Sequence, residues 1–248
     1  MNDALCADLA QILGPGALVA HFQPIAQMVD AKVVGVEALA RWRGDDGVVL
    51  SADAVWSAAA AIDVRAALCG AMAAQAMGTF AAARWSYGLE LSVNAGCPDI
   101  AEPSFAAAFL GQAALFGIAP NRLWLEITED APLDDAAGVI RALGHLRAAG
   151  VRVAVDDFGA GFATLSWLLC LPLDGIKLDR AFANGVEVAG PARAVATHAI
   201  GLARELGLSF VAEGIETVSQ RAALMELGCG KGQGRLFGMA TEELVRTA

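Results

Sequence analysis

The chain has 248 residues, of which 56% are hydrophobic and 18% are charged, and its net charge is −10. This composition is typical of a globular chain with a large core and excludes a disordered one. The negative charge argues against binding to a nucleic-acid polymer, so an anionic ligand must be held by metal ions or by a few local cations.

The pattern predicts an N-terminal helix or linker stub over residues 1–18, followed by one domain over residues 19–248. Eight strand-like runs alternate for the most part with helix-like segments, which predicts a parallel sheet. Eight such units over this length favour a closed barrel, the (β/α)8 class of α/β fold. The runs are 19–25, 33–42, 89–95, 122–128, 152–158, 174–179, 208–214 and 230–237.

The first connection departs from that pattern. Only "AQMVDAK" separates the first two runs, whereas a parallel crossover needs a dozen or more residues. We therefore predict a hairpin, with the first strand antiparallel to the others.

Most of the runs carry a polar or charged residue near their end, and Glu126 lies within the apolar run "LWLEIT". In a (β/α)8 barrel these ends meet on one face, where the chemistry takes place. The residues so placed are Glu37, Asn94, Glu126, Asp156, Asp157, Lys177, Glu213 and Gln233.

Each of these residues has an ordinary structural explanation when it is taken alone. Asp157 or Glu213 could cap a helix, Asn94 could hold a turn, and Lys177 could pair with Asp179. Together, four or five acids on one face would repel each other strongly unless cations bind there. Carboxylate and amide oxygens without His or Cys suit Mg²⁺ or Mn²⁺.

Asp156 and Asp157 are adjacent, so one carboxylate could bridge two ions, which is a recurring arrangement in phosphodiester hydrolysis. The residues therefore favour a metal-dependent phosphoester hydrolase. An enolase-like barrel, with acidic Mg²⁺ ligands and a lysine base, is the alternative from physical chemistry alone.

The cysteine pattern and the termini bear on location. The five cysteines contain no CxxC pair, which favours reduced thiols in the cytoplasm over a disulfide framework or a zinc site. No charge-free apolar run is long enough to span a membrane, and the N-terminus does not resemble a signal peptide.

Ordered motifs reveal a family resemblance over roughly residues 20–240. "VEALARW" resembles the signature of the EAL-domain cyclic-di-GMP phosphodiesterases, and it is accompanied in order by "FQPI", "LSVN", "LEITE", "DDFGAGF", "LPLDGIKLD", "AEGIET" and "QG". The resemblance implies a barrel with one antiparallel strand. It also implies hydrolysis of one phosphodiester of cyclic di-GMP to linear 5′-pGpG, with two Mg²⁺ or Mn²⁺ ions as cofactors.

The resemblance assigns roles motif by motif. It implies that the metal ligands are Glu37, Asn94, Glu126, Asp156 and Asp157. Lys177 resembles the lysine that orients the attacking water, and Glu213 the general base or second-metal partner. The substrate contacts it implies are Gln23, Arg41, Glu216 and Gln233, with Glu216 supporting substrate or loop. Glu129 resembles the residue that anchors the "DDFGAGF" loop.

Two segments depart from the family pattern. Arg235 replaces the usual aromatic residue after "QG", and "FGMA" lacks the usual proline. We expect Arg235 to contact substrate weakly, because a guanidinium can stack on a base or pair with a phosphate. The segment 51–63 lacks the usual Pro and Glu, which bears on substrate affinity.

The resemblance also bears on partners and on the alternative function. Pairing through the helix near "DDFGAGF" would give a homodimer, and an upstream sensor or cyclase domain would regulate the barrel. The alternative from another class is a catalytically inactive cyclic-di-GMP receptor. The complete set of acidic ligands together with Lys177 argues for the enzyme.

Overall fold

The computed structural model describes residues 16–43, 48–50, 65–83, 86–128, 133–159 and 165–244. Most of the predicted N-terminal segment 1–18, the departing segment 51–63 and the predicted loop anchor Glu129 lie outside the described residues. Their predictions therefore stay predictions.

The described residues form one sheet of nine strands. Its strands are β1 (Leu18–Gln27), β2 (Val33–Arg43), β3 (Val49–Leu50), β4 (Glu90–Gly96), β5 (Leu123–Thr128), β6 (Arg152–Phe158), β7 (Gly175–Leu178), β8 (Ser209–Ala212) and β9 (Lys231–Gln233). All but β3 make up the barrel, in the order β1-β9-β8-β7-β6-β5-β4-β2, and pairing of β1 with β2 closes it. The predicted eight-stranded α/β barrel is confirmed.

The predicted hairpin is also confirmed. β1 pairs antiparallel with both of its neighbours in the barrel, β2 and β9. All other neighbouring strands of the barrel, from β2 and β4 to β8 and β9, pair in parallel. The last strand is shorter than predicted, since it ends at Gln233 and not at residue 237. It ends there because Gly234 has a φ of +150°, a backbone conformation that strands of L-residues do not adopt.

Helices surround the barrel, and two of them begin at residues whose side chains cap them. They are α1 (Arg65–Ala82), α2 (Cys97–Ala101), α3 (Phe105–Leu115), α4 (Ala136–Ala149), α5 (Leu165–Cys170), α6 (Pro191–Glu205) and α7 (Val218–Glu226). The carboxylate that precedes α4, Asp135, accepts a hydrogen bond from Gly138 N at 2.9 Å. A capping box between Thr217 and Gln220 starts α7. None of the described helices combines the length and the apolar character that crossing a membrane requires.

Strand alternation explains the carboxylate inside an apolar run. In β5, Leu123, Leu125 and Ile127 belong to the core between sheet and helices. Successive side chains of a strand point to opposite faces, so Trp124 and Glu126 point into the barrel. Glu126 is therefore a lumen residue on a strand whose other face is buried under helices.

Candidate metal and substrate site

A buried lysine lies at the centre of the carboxyl end of the barrel. The Lys177 side chain is 2% exposed, and its Nζ lies 3.0 Å from Glu37 Oε2, 2.8 Å from Glu126 Oε2, 2.8 Å from Asp156 Oδ1 and 2.6 Å from Glu213 Oε1. The four acids come from β2, β5, β6 and the residue after β8. One ammonium cannot neutralise four carboxylates, so this site has an excess of negative charge.

Strand register brings the polar residues to the same level. Asn94 of β4 pairs directly with Glu126 of β5, and Gln23 of β1 pairs with Glu37 of β2. Glu213 follows β8, and its N–H donates to Leu178 O at 3.1 Å, which extends the ladder by one residue. Strand register, not sequence proximity, therefore assembles the site.

Two amides bind the Glu37 carboxylate. Asn94 Nδ2 donates to Glu37 Oε1 at 2.7 Å, and Gln233 Nε2 donates to Glu37 Oε2 at 2.7 Å and to Gln23 Oε1 at 3.0 Å. Among the described residues, the buried Oδ1 atom of Asn94 has no hydrogen-bond partner. Leaving such an oxygen unpaired costs about 1–3 kcal/mol. A bound cation would satisfy this oxygen.

The carboxylates form two overlapping groups. One oxygen from each of Glu37, Glu126 and Asp156 lies within 4.8 Å of the others, and the same holds for Asp156, Asp157 and Glu213. Asp156 belongs to both groups. Oxygen-only donor sets of this kind suit hard divalent cations, so the residues fit two ions that share one carboxylate.

Burial controls the protonation of these acids. It raises the pKa of Glu126 to about 8 and also raises the pKa of Asp156 and of Glu213, because the charged form loses its hydration and the neighbouring carboxylates add repulsion, against the attraction of Lys177. Glu37 is the exception. Burial opposes its ionisation too, but Lys177 and the two amide donors lower its pKa. A divalent cation would favour the ionised forms throughout.

Asp157 has an unusual backbone. Its φ is +50°, in the left-handed region, and the pairing of β6 with β7 shifts register between Val155 and Phe158. Successive strand residues normally face opposite sides, and this irregularity lets Asp156 and Asp157 both reach the site. Burial, the Asp156 carboxylate and a hydrogen bond with Asp179 raise the pKa of Asp157 to about 7.

A cavity of about 620 Å³ opens above the acids, which is within the range of small-molecule sites. Its walls carry all of the predicted substrate residues: Gln23, Arg41, Glu216, Gln233 and Arg235. Arg235 Nη2 pairs with Glu216 Oε2 at 2.5 Å, at the exposed rim. The structure thus brings these two together as an ion pair.

Two residues of the site were not predicted as such from the sequence. Asp179 and Arg180 line the cavity directly after β7, and the Asp179 carboxylate accepts from Ala181 N at 2.8 Å. Their position two and three residues after Lys177 was the available signal. Of the predicted site residues, the structure brings together all except Glu129, which lies outside the part of the chain that it describes.

Fold and site define the class: an α/β barrel with an acidic site, suited to divalent cations, at the carboxyl ends of its strands. The EAL domain family model matches residues 7–240 of the chain. The chain is 33% identical over 254 residues to the cyclic di-GMP phosphodiesterase NbdA of Pseudomonas aeruginosa, covering 96% of this chain and 31% of that protein. This chain belongs to the EAL domain family.

Solved structures agree with this assignment. The PaMucR phosphodiesterase in complex with c-di-GMP superposes with a TM-score of 0.87 and 29% identity, covering 96% of this chain and 97% of that one. Klebsiella pneumoniae BlrP1, in a complex with manganese and cy-diGMP, superposes with a TM-score of 0.79 and 25% identity, covering 93% of this chain and 58% of that one. The chain spans about a third of the length of several curated relatives, between 29% and 38%.

Proposed function

We propose that this chain hydrolyses one phosphodiester of cyclic di-GMP to linear 5′-pGpG and needs divalent cations to do so. The observation that carries the proposal is the pair of carboxylate groups that share Asp156 beside Lys177, below a cavity of about 620 Å³. The family membership and the cyclic di-GMP phosphodiesterases among its relatives support the choice of substrate.

The chain's own residues suit Mg²⁺ or Mn²⁺. We propose that Glu37, Asn94, Glu126 and Asp156 would hold one ion, and that Asp156 and Asp157, with Glu213 beside them, would serve the second. When bound, such ions neutralise a phosphate and lower the pKa of a water molecule. The unpaired Oδ1 of Asn94 is the direct structural support for a ligand at this point.

Lys177 and Glu213 take the roles closest to the reaction. Lys177 Nζ, held by four carboxylates, orients the attacking water, and Glu213 accepts its proton or partners the second ion. The water oxygen forms a bond to phosphorus, and the bond between phosphorus and a ribose 3′ oxygen breaks. The 3′ oxygen takes up a proton, so the product carries a 5′-phosphate and a 3′-hydroxyl.

Gln23, Arg41 and Gln233 are the proposed substrate contacts within the cavity, with Glu216 and Arg235 at its rim. Gln233 Nε2 donates to Gln23 Oε1 at 3.0 Å, so a ligand that binds one of these side chains would also alter the position of the other. Glu129 stays the predicted anchor of the loop that follows Asp157.

Two predictions about assembly remain proposals. α5 exposes Leu165 and Leu169, at 63% and 86%, which supports the predicted homodimer through this helix. The greater length of the relatives supports the expectation of a sensor or cyclase domain in the full protein.

A turnover assay tests the proposed function. The purified chain is incubated with cyclic di-GMP and Mg²⁺ or Mn²⁺, and the nucleotides are separated by chromatography. We expect pGpG to appear with the metal and not with a chelator. Cyclic di-GMP that binds but stays intact under all metal conditions would instead show an inactive receptor.

A further inference from the structure

Three arginines line the cavity, and two of them already have protein partners. Arg41 Nη1 donates to Ala40 O at 2.8 Å, and Arg235 pairs with Glu216. The third is Arg180, an exposed residue directly after β7. Its guanidinium has neither a hydrogen bond nor an ion pair with the residues that the structure describes. A cation without a partner beside so many acids is available for an anionic ligand.

The backbone of Arg180 is held firmly. Residues Arg180–Phe182 form a 3₁₀ turn, which the Asp179 carboxylate caps at Ala181 N. The Cβ of Arg180 packs against Gly214, where an added Cβ would overlap it. Gly214 has a φ of +67° and directly follows Glu213. The base of the side chain is therefore held next to Glu213 and the other acids.

Arg180 lies across the cavity from Arg41. Arg41 comes from β2, and Arg180 follows β7. In the closed order of eight strands, β2 and β7 are four positions apart in either direction. Two arginines on opposite walls, with the carboxylates between them, suit a ligand that carries two separated anionic groups.

We propose that Arg180 is a substrate-binding residue that holds the phosphodiester of cyclic di-GMP which is not hydrolysed. This inference rests on the proposed function. The substrate is a ring with two equivalent phosphodiesters, and the carboxylate groups with their ions serve one of them. The excess of acids in the cavity would repel the other, unless a local cation binds it. A guanidinium is suited to this, because its planar fork of donors matches phosphate oxygens.

The test compares four proteins: wild type, Arg180→Ala, Arg180→Lys and Arg204→Ala. Arg204 is a matched control, since it is also an exposed arginine but lines a separate cavity at the end of α6. For each protein, kcat and KM for cyclic di-GMP are measured with Mg²⁺, at low and at moderate salt. The dissociation constant is measured by calorimetry with Ca²⁺, which gives a readout independent of turnover.

We expect Arg180→Ala to raise KM and the dissociation constant about tenfold with kcat nearly unchanged, the pattern of uniform binding. Arg180→Lys should recover part of the affinity, because it keeps the charge but not the fork. Added salt should reduce the difference in KM and in dissociation constant between Arg180→Ala and wild type. Arg204→Ala should match wild type.

A wild type that hydrolyses cyclic di-GMP, together with an Arg180→Ala variant of unchanged KM and affinity, would overturn this inference alone. A fall in kcat at constant KM would also overturn it, because Arg180 would then act on the transition state. A wild type that neither hydrolyses nor binds cyclic di-GMP would overturn the proposed function and this inference with it.

Discussion

The two ends of the barrel handle charge in opposite ways. At the amino end, the Glu90 carboxylate accepts from Trp124 Nε1 at 2.8 Å and from Arg152 Nη2 at 2.7 Å, with Lys231 Nζ 4.0 Å away. The Arg152 guanidinium also lies over the Trp124 ring at 4.6 Å and donates to Asn121 O. At the carboxyl end, four carboxylates share one lysine, and the buried amide oxygens of Asn94 and Gln233 have no hydrogen-bond partner among the described residues.

The amino end of the barrel therefore serves stability, and the carboxyl end serves binding. The cavity between the strands at the amino end measures only about 20 Å³, against about 620 Å³ above the acids. At the amino end, paired charges and closed packing stabilise the barrel without a ligand. The carboxyl end concentrates carboxylates whose mutual repulsion bound cations would relieve, as expected of a functional site.

The largest expected effect is loss of all turnover on removal of divalent cations. Mg²⁺ or Mn²⁺ should restore activity, and Ca²⁺ should bind without supporting turnover, because it tolerates looser geometry. Mg²⁺ should also raise the Tm of the wild type, since a ligand of the native state stabilises it. Asp156→Asn should abolish that rise. Full activity after exhaustive chelation, or equal rates with Ca²⁺, would contradict the two-ion proposal.

Lys177→Ala should lower kcat by about 10²–10⁴-fold, the typical contribution of a positioned group that acts on the water. Binding of cyclic di-GMP should be nearly intact. Lys231→Ala is the matched control, a lysine at the amino end, and its kinetics should resemble wild type. If Lys177→Ala keeps more than about a third of the rate, which that range excludes, the proposed role of Lys177 is wrong.

Glu90→Ala should act on stability and not on turnover. It removes the acceptor of Trp124 and Arg152, so the free energy of unfolding should fall by about 1–3 kcal/mol. Urea denaturation measures this change, with Glu205→Ala on the surface of α6 as a control of small effect. An unchanged free energy of unfolding, or a change in kcat, would contradict the assignment of stability to the amino end and of binding to the carboxyl end.

Arg235→Ala should have the smallest effect, a KM raised several-fold with kcat little changed. Its exposed ion pair with Glu216 contributes little to stability, because solvent screens it. The measurement is KM for cyclic di-GMP at low and at moderate salt, since a phosphate contact weakens as salt is added. Superimposable curves for variant and wild type would mean that Arg235 is only a rim residue.

Periodicity and strand ends were enough to predict the barrel and most of the residues that meet in it. Glu126 illustrates why: a carboxylate in an apolar strand has to face something polar, and the lumen is the only polar side available. Parallel register then places it beside Asn94. The short first connection likewise predicted the antiparallel β1, because seven residues do not reach back along a strand.

What escaped prediction depends on loop geometry and on distant pairs. The closeness of Asp179 and Arg180 to Lys177 was the available signal, but "LDR" does not show which way the turn after β7 faces, so neither was predicted as a site residue. The partner of Arg235 is Glu216, 19 residues away on another loop. The end of β9 depends on the backbone angle of Gly234, for which the residue type permits but does not require the observed value.

The antiparallel direction of β1 has a mechanical consequence. β1 starts at the carboxyl end of the barrel, where Leu18 faces Trp42 and Val19 faces Arg41, and its sixth residue, Gln23, faces Glu37. A displacement of β1 at its amino end would therefore move the walls of the cavity before it moved the amino end of the barrel. β1 therefore joins the segment that precedes it in the chain directly to the walls of the cavity.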